Sequence, residues 1–336
     1  MEGRGRGESR SGCYHLGKRR GWKAGTAAPI IAARFSATEF LSGAVMTGAG
    51  PLKAGVCARS ESFEALDGDV DGGFLILVDH ASNRMPPEYA DLGLPDAELE
   101  RHIAYDIGAG PLGRVLSERF RAPGLLTRFS RLLIDPNRGE DDPTLVMRLS
   151  DGAVVPGNAH VDAAETARRL DRFHRPYHLA VEKHLDRMIA AGRPPAILAI
   201  HSYTPVWKGE RRPWHAGILW DRDPRLAVPL LAGLQAEHGL RVGDNEPYEG
   251  SLKNDTMYRH GTARGLAHAL LEVRNDLIAT PAGVLEWADR LEPILRDILK
   301  DRDLYHIRHY GSLSDEEPAK HGDENAEPGR TYAHGT

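Results

Sequence analysis

Four runs of continuous apolar residues stand out along the chain, and each ends in polar groups. They are GFLILVDH (73–80), PPAILAIHSY (194–203), HAGILW (215–220) and LAHALLEVRND (266–276). A short run without alternation is typical of a strand that is buried on both faces. A fifth segment, GLLTRFSRLLIDPNR (124–138), predicts another strand, which Pro136 would stop.

Helical patterns separate these runs. We expect a helix in two pieces over residues 96–120 and a long helix over 163–191 with a kink at Pro176. Two further helices are expected over 223–239 and over 280–303. Strands that alternate with helices favour an α/β fold. The prediction is a three-layer architecture with a central mixed, mostly parallel sheet flanked by helices.

The two ends of the chain differ from this core. Residues 1–59 begin with a basic stretch without periodicity, which predicts a disordered leader or a true start at Met46. Residues 311–336 are acidic and poor in apolar residues, so they cannot bury enough surface to offset the entropy of ordering, and we expect a disordered tail. Residues 60–310 are then the catalytic domain.

Composition narrows the functional classes. The net charge of −5 does not favour nucleic-acid binding, and no apolar run is long enough for a membrane-spanning helix. The two cysteines, Cys13 and Cys57, form no framework for disulfides. We therefore expect a cytoplasmic protein without nucleic-acid or membrane partners, and the sequence leaves its oligomeric state open.

Chemically capable side chains gather where the predicted strands end. His80 and His201 end two of the strands, and Glu272 lies on a third. Because ligands bind beyond the carboxyl ends of strands in open α/β sheets, we expect these groups to meet. Neutral imidazole is a common metal ligand, and a nearby carboxylate can take a proton from water. The pattern predicts a metal site with His80 and His201 as ligands.

Arginines beside these strand ends suit an anionic substrate. Arg131, Arg138 and Arg274 each neighbour the expected site, and a guanidinium binds carboxylates with two parallel hydrogen bonds. His215 stands just before a strand and could line the same pocket. His174 and His178 lie four apart on the long helix, and we interpret them as packing residues. A serine hydrolase built on Ser82 or Ser202 lacks the usual strand–elbow–helix context.

Six motifs together resemble the N-formylglutamate amidohydrolase family. They are VDHASNRMPPEY, HIAYDIGA, FSRLLIDPNR, AIHSYTPVW, GDNEPY and LLEVRND, in the family's order. The family is more distantly similar to zinc carboxypeptidases and succinylglutamate desuccinylases. The resemblance implies the fold of the zinc exopeptidases and phosphorylase-like hydrolases, with one site for Zn²⁺ or another divalent metal.

The resemblance also implies roles for individual residues. His80 and His201 match the metal-binding histidines, and Glu272 matches the glutamate that acts on the water. Asn83 stands where the carboxypeptidases have a glutamate ligand. Either Asn83 binds through its amide oxygen, or another group such as Asp79 or Asp106 completes the metal site.

The expected function is metal-dependent hydrolysis of the N-acyl amide of an acidic amino acid. The family implies N-formyl-L-glutamate as the substrate, with formate and glutamate as products, in histidine degradation. Arg131 and Arg138, with Arg274, would bind the two carboxylates, and Asn137 would orient a carboxylate or the oxyanion. The alternatives are a deacylase or small carboxypeptidase with another substrate, and a non-catalytic ligand-binding relative.

Overall fold

A computed structural model describes residues 44–47, 50–53 and 56–316, and an eight-stranded sheet lies at its centre. The strands in chain order are β1 Ala44–Thr47, β2 Gly50–Lys53, β3 Val56–Arg59, β4 Phe63–Leu66, β5 Phe74–Val78, β6 Gly124–Thr127, β7 Leu149–Ser150, β8 Ala153–Val154, β9 Ala196–Tyr203, β10 Val206–Trp207, β11 Glu210–Arg211, β12 Ala216–Leu219, β13 Val242–Asp244 and β14 His268–Arg274. From edge to edge the order in the sheet is β13-β12-β14-β9-β5-β6-β4-β3.

The sheet is mixed and mostly parallel, as the sequence predicts. The four central strands β14, β9, β5 and β6 are parallel neighbours. Strands β12 and β4 pair antiparallel to the two outer members of this group. Three antiparallel hairpins, β1–β2, β7–β8 and β10–β11, lie outside the sheet.

Helices cover both faces of the sheet. They are α1 Asp96–Leu99, α2 Ala109–Phe120, α3 Ala163–Arg169, α4 Arg175–Ala190, α5 Pro224–Gln235, α6 Thr256–His260 and α7 Pro281–Ile298. Side chains of α2, α5 and α7 pack on one face, and those of α4 and α6 pack on the other. No helix in the described part of the chain is long and apolar enough to cross a membrane.

Strand β5 shows why its apolar run has no polar interruption. Phe74, Ile76 and Val78 point into the cluster under α2, α5 and α7. Leu75 and Leu77 point into the cluster under α4. Both faces of the strand are buried, so both sets of alternating positions are apolar.

The predicted strand over residues 124–138 is wrong beyond Thr127. Strand β6 is only four residues long, and the chain then leaves the sheet. Phe129, Leu133 and Ile134 are buried in a separate cluster that also holds Leu170 and Phe173. A short apolar run in the sequence does not show whether its residues are buried in a central strand or in a cluster outside the sheet.

The long predicted helix is interrupted where the kink was expected. A π-helical turn, Leu170–His174, separates α3 from α4. The N–H of Arg175 donates to the carbonyl of Leu170, five residues back, and Pro176 follows directly. The wider π-helical turn thus precedes the proline, which has no N–H to donate, and the helical conformation continues through it.

The ordered core extends past both predicted limits. Strand β3 pairs with β4, so the sheet begins at Val56, inside the predicted leader. The backbone N–H of Leu313 donates to Asp221, so the first residues of the predicted tail contact the core. The disorder predicted for 1–43 and 317–336, and the start at Met46, concern stretches largely outside the described residues.

Candidate metal and catalytic site

Three neighbouring parallel strands bring His80, His201 and Glu272 to one edge of the sheet. His80 lies two residues beyond the end of β5. His201 and Glu272 lie on the adjacent strands β9 and β14, directly opposite each other in register. Strand β9 continues to Tyr203, so His201 lies inside the strand and not at its end. The arrangement matches the carboxyl-edge location of ligand sites in α/β sheets.

Asp106 joins the two histidines, and we call His80, Asp106 and His201 the ligand triad. Oδ2 of Asp106 lies 3.3 Å from Nδ1 of His80 and 2.9 Å from Nδ1 of His201. The imidazole rings are nearly perpendicular, with centroids 4.9 Å apart. Candidate ligand atoms from all three residues lie within 4.8 Å of one another, and all three residues are buried. The triad therefore directs three donor atoms at one small volume.

Backbone hydrogen bonds fix Asp106 in this position. Its N–H donates to the carbonyl oxygen of His80 at 2.9 Å. Its Oδ2 accepts the N–H of Ser202 at 3.2 Å. The hydroxyl of Ser202 donates to the carbonyl of Ile107, so this serine has a structural role and is not paired with a histidine.

Two further carboxylates hold the outer nitrogens of the histidines. Nε2 of His80 lies 2.7 Å from Asp135, and Nε2 of His201 lies 3.1 Å from Asp79. Asp79 also accepts the hydroxyl of Tyr177 at 2.7 Å. Such carboxylates fix the tautomer and orientation of metal-binding imidazoles and strengthen them as ligands. Each Nδ1 is therefore left to face the centre of the triad.

The electrostatics of the site favour a cation. Burial opposes ionisation of Asp135, but the charge of Arg131 holds the pKa of Asp135 well below its ordinary value. Burial opposes protonation of His201, but hydrogen bonds to Asp106 and Asp79 hold the pKa of His201 well above its ordinary value. The surrounding carboxylates thus stabilise positive charge at the triad. Two imidazole nitrogens and a carboxylate oxygen are a ligand set of catalytic zinc sites, so these residues fit a divalent metal.

Glu272 has the burial and the free oxygen that a proton-transfer group requires. Its side chain is buried, and Oε2 has no hydrogen-bond partner among the described residues. Burial raises the pKa of Glu272 to about 8, opposed by the charge of His201 and assisted by that of Asp106. A metal cation beside Glu272 would favour its ionised form. An unpartnered buried carboxylate is costly, which is typical of a group reserved for reaction.

The site opens into a cavity of about 340 Å³. Its lining includes the ligand triad, Glu272, three of the predicted substrate-binding residues, and an aromatic side. Those three are Arg131, Asn137 and Arg138, and the aromatic side consists of Tyr203, Trp207 and Tyr248. This volume suits a small amino-acid derivative and not a folded partner.

Arg138 and Asn137 present donors to this cavity. Arg138 donates to Thr144 at 3.2 Å and to the carbonyl of Asn137 at 2.7 Å. The amide oxygen of Asn137 accepts the N–H of Thr256 at 3.1 Å, which orients its NH₂ group. That NH₂ group has no partner among the described residues. The two side chains together suit a carboxylate or an oxyanion.

The guanidinium of Arg131 hydrogen-bonds to acidic residues of the site. Its guanidinium donates to Asp135 at 3.2 and 2.7 Å, and lies 3.5 Å from Asp106. These contacts position the carboxylate that orients His80. The arginine still borders the cavity, but most of its donors face these two aspartates.

Three predicted site residues lie away from the cavity. Asn83 donates to the carbonyl of Leu99 at 2.9 Å and to Glu100 at 3.2 Å, so it orders a turn. The structure brings Asp106 to the triad in its place. None of Asn83, Arg274 and His215 belongs to the cavity lining.

Local partners explain the positions of Arg274 and His215. Arg274 forms two hydrogen bonds with Asp276, at 2.8 and 3.3 Å. Nδ1 of His215 accepts the N–H of Arg241 at 2.9 Å. Arg274 is the last residue of β14 and His215 directly precedes β12, so both lie at the same edge as the site, but these partners lie outside the cavity lining.

Several residues of the site were missed or undervalued in the sequence. The outer carboxylate Asp135 and the aromatic Tyr203, Trp207 and Tyr248 all fall within the six quoted motifs. Tyr177, which bonds Asp79, lies in the long helix without any motif. The position of Asp135 directly after the apolar residues LLI, within a quoted motif, is the signal that could have identified it.

Comparison with known proteins agrees with the motifs. A family described as N-formylglutamate amidohydrolase matches residues 72–279. The crystal structure of gene product Atu2144 from Agrobacterium tumefaciens is similar with 34% identity and a TM-score of 0.68, covering 72% of this chain and 96% of that one. N-formylglutamate amidohydrolase from Ralstonia eutropha JMP134 is similar in fold, with 21% identity, a TM-score of 0.52, and coverage of 72% and 98%.

None of the curated proteins compared matches the chain. The family match covers more than half of the chain and contains the triad, Glu272 and the cavity arginines. The structure from Agrobacterium tumefaciens is more than 30% identical, and nearly all of its length is covered. The chain therefore belongs to the N-formylglutamate amidohydrolase family, a family of hydrolases that act on an amide bond.

Proposed function

We propose that this amidohydrolase is metal-dependent and releases the acyl group from an N-acylated acidic amino acid, with N-formyl-L-glutamate as the substrate. Products are formate and glutamate, which places the reaction in histidine degradation. We further propose Zn²⁺ or another divalent ion as the cofactor, and the cytoplasm as the location.

One observation carries the proposal: the buried ligand triad lies beside the unpartnered carboxylate of Glu272. The triad offers two imidazole nitrogens and a carboxylate oxygen within 4.8 Å. Glu272 lies opposite His201 on the next strand. This pairing of a metal site with a free base is what hydrolysis of an unactivated amide requires.

The chemistry divides between the cofactor and the chain. When bound, a divalent metal lowers the pKa of water and polarises the acyl carbonyl. His80, Asp106 and His201 would hold it, and Asp135 and Asp79 keep the imidazoles in the required orientation. Glu272 accepts a proton from the attacking water at its free Oε2 and returns it to the leaving nitrogen.

Substrate recognition falls to the polar residues across the cavity. Arg138 and the NH₂ group of Asn137 suit the α-carboxylate, because they are neighbouring donors with few protein partners. The burial of the triad excludes bulk water from the reacting atoms, which strengthens these contacts.

The direct experiment measures formate release from N-formyl-L-glutamate by the full chain, first depleted of metal and then supplied with Zn²⁺, Mn²⁺ or Co²⁺. We expect turnover only after one of the ions is restored. Equal turnover in the metal-free and the metal-loaded protein would contradict metal dependence.

The same assay separates the alternatives. Turnover of N-acetyl or N-succinyl amino acids, with none of N-formyl-L-glutamate, would favour a deacylase for another acyl group. Cleavage of dipeptides alone would favour a small carboxypeptidase. The non-catalytic alternative would require a metal site without a third ligand, because Asn83 is a poor one, and we propose that Asp106 provides this carboxylate.

A further inference from the structure

Arg212 carries a positive charge beside the cavity that no carboxylate within the described residues neutralises. It follows the hairpin β10–β11, at the aromatic side of the cavity. Its guanidinium carbon lies 5.4 Å from the ring centre of Tyr203, 5.3 Å from that of Trp207 and 4.9 Å from that of Tyr248. All three rings line the cavity, and the guanidinium packs on these rings without being a lining residue itself.

The other arginines near the site have acidic partners. Arg131 is bonded to Asp135, Arg274 to Asp276, and Arg138 lies 3.9 Å from Asp142. Arg212 has no such ion pair in the described part of the chain. Its partly exposed guanidinium is therefore available to an anionic ligand.

Two segments hold Arg212 in place. Its backbone N–H donates to the carbonyl of Pro205 at 2.9 Å, and Nη1 donates to the hydroxyl of Tyr248 at 2.9 Å. Tyr203 is itself fixed by a 2.6 Å bond from its hydroxyl to the carbonyl of Trp214. The guanidinium has five N–H donors, so most of them remain for an external acceptor.

The position also meets a need of the substrate. The two carboxylates of a dicarboxylate substrate are best bound by two separate cations. Arg131 already hydrogen-bonds to Asp135 and Asp106, so most of its donors are occupied. Arg138 supplies one cation. The charge of Arg212 is near enough to contribute to lowering the pKa of Glu272, after the larger effects of burial, His201, Asp106 and Arg131.

We propose that Arg212 binds the side-chain carboxylate of the N-acyl amino acid and is the residue that selects acidic substrates over neutral ones. The inference rests on the proposed function and deepens it. Arg138 and Asn137 bind the carboxylate common to all amino acids, whereas Arg212 binds only the second one. Contact with the three rings limits the motion of the guanidinium and so reduces the entropy lost on binding.

The kinetic test compares N-formyl-L-glutamate with its neutral isostere N-formyl-L-glutamine. In Arg212→Gln, the ratio of kcat/KM for the acid to that for the amide should fall about 10- to 100-fold, because a charge-assisted bond is lost. Arg211→Gln, an exposed neighbour on the same hairpin, should keep the wild-type ratio. An equal loss for both substrates would overturn the inference, because damage to the fold lowers both alike.

A binding measurement keeps the inference testable if neither formyl compound is hydrolysed. Isothermal titration of the metal-loaded full chain with L-glutamate and with L-glutamine gives two dissociation constants. We expect wild type to prefer glutamate and Arg212→Gln to lose most of that preference. If this binding pattern is found but neither formyl compound is hydrolysed, the proposed function is rejected and the role of Arg212 is retained. No preference in wild type, or the same preference in the variant, would reject that role.

Discussion

Glu272 lies directly opposite His201 where the parallel strands β14 and β9 pair. This register places an unpartnered carboxylate next to an imidazole whose Nδ1 faces Asp106 at 2.9 Å. The sheet itself, through strand order and register, therefore sets the distance between Glu272 and the ligand triad. Catalytic groups on rigid strands keep their geometry better than groups on loops.

Asp106, and not Asn83, should determine metal binding. Asp106→Asn removes the charged ligand while keeping the shape, and we expect most of the bound metal to be lost. Asn83→Ala removes only a turn contact, so metal content should stay at the wild-type level. Metal analysis of the two purified variants checks this, and loss of metal in Asn83→Ala alone would reverse the assignment.

The outer carboxylates should tune metal affinity without providing ligands. Asp135→Asn and Asp79→Asn each weaken the anchor of one imidazole Nε2. We expect metal affinity to fall about 10- to 100-fold in each, as for other second-layer carboxylates. Competition titration with a chelator measures this. Unchanged affinity in both variants would show that the histidines need no such support.

Arg138 and Arg274 should differ in their effect on substrate binding. Arg138 lines the cavity, so Arg138→Gln should lower kcat/KM about 10- to 100-fold, mainly through KM. Arg274 is held by Asp276 outside the cavity, so Arg274→Gln should leave KM unchanged. Steady-state kinetics with N-formyl-L-glutamate measures KM for both variants. A larger increase in KM for Arg274→Gln than for Arg138→Gln would favour the role that the sequence predicted for Arg274.

A buried cluster of His174, His178 and His260 should make stability depend on pH. Nδ1 of His178 lies 2.9 Å from Nε2 of His260, and His178 and His174 contact the carbonyls of Pro136 and Arg138. Burial lowers the pKa of all three, that of His260 to about 3. These histidines are neutral when folded and become charged when unfolded below their ordinary pKa.

The sign of this dependence follows from proton binding. Between the folded pKa and the ordinary value near 6.5, the unfolded chain binds more protons, so stability is full above this window and falls with decreasing pH. Each histidine contributes a slope of about 1.4 kcal/mol per pH unit. Chemical denaturation between pH 7.5 and 5 tests this, and His260→Gln should reduce the slope. Glu272, whose pKa burial raises to about 8, acts in the opposite sense, so the test is the difference between wild type and His260→Gln, and an unchanged slope in the variant would contradict the prediction.

The sequence predicted the strands of the site well because their environment is simple. Strands β5, β9 and β14 are buried on both faces, so their apolar runs are continuous and end where the chemistry begins. Parallel strands align their carboxyl ends, which is why His80, His201 and Glu272 could be predicted to meet.

The remaining errors have physical causes. The sequence left Asp106 as one candidate beside Asp79 and Asn83, because Asp106 lies in the turn between α1 and α2, and hydrogen bonds with the backbone of His80 and Ser202 bring it to the triad. Arg274 has its partner two residues away in Asp276, a local pairing that proximity to a strand end does not reveal. Arg212 follows a hairpin without any periodic pattern, so only its contacts with three rings show its place.

The most direct measurement of the central claim combines metal content with formate release in two variants, Glu272→Gln and His201→Ala. Glu272→Gln keeps the ligand triad and removes the base, so it should retain metal and lose about 100- to 10,000-fold in kcat. His201→Ala removes a ligand and should lose both metal and activity. Near wild-type turnover in either variant would contradict the account.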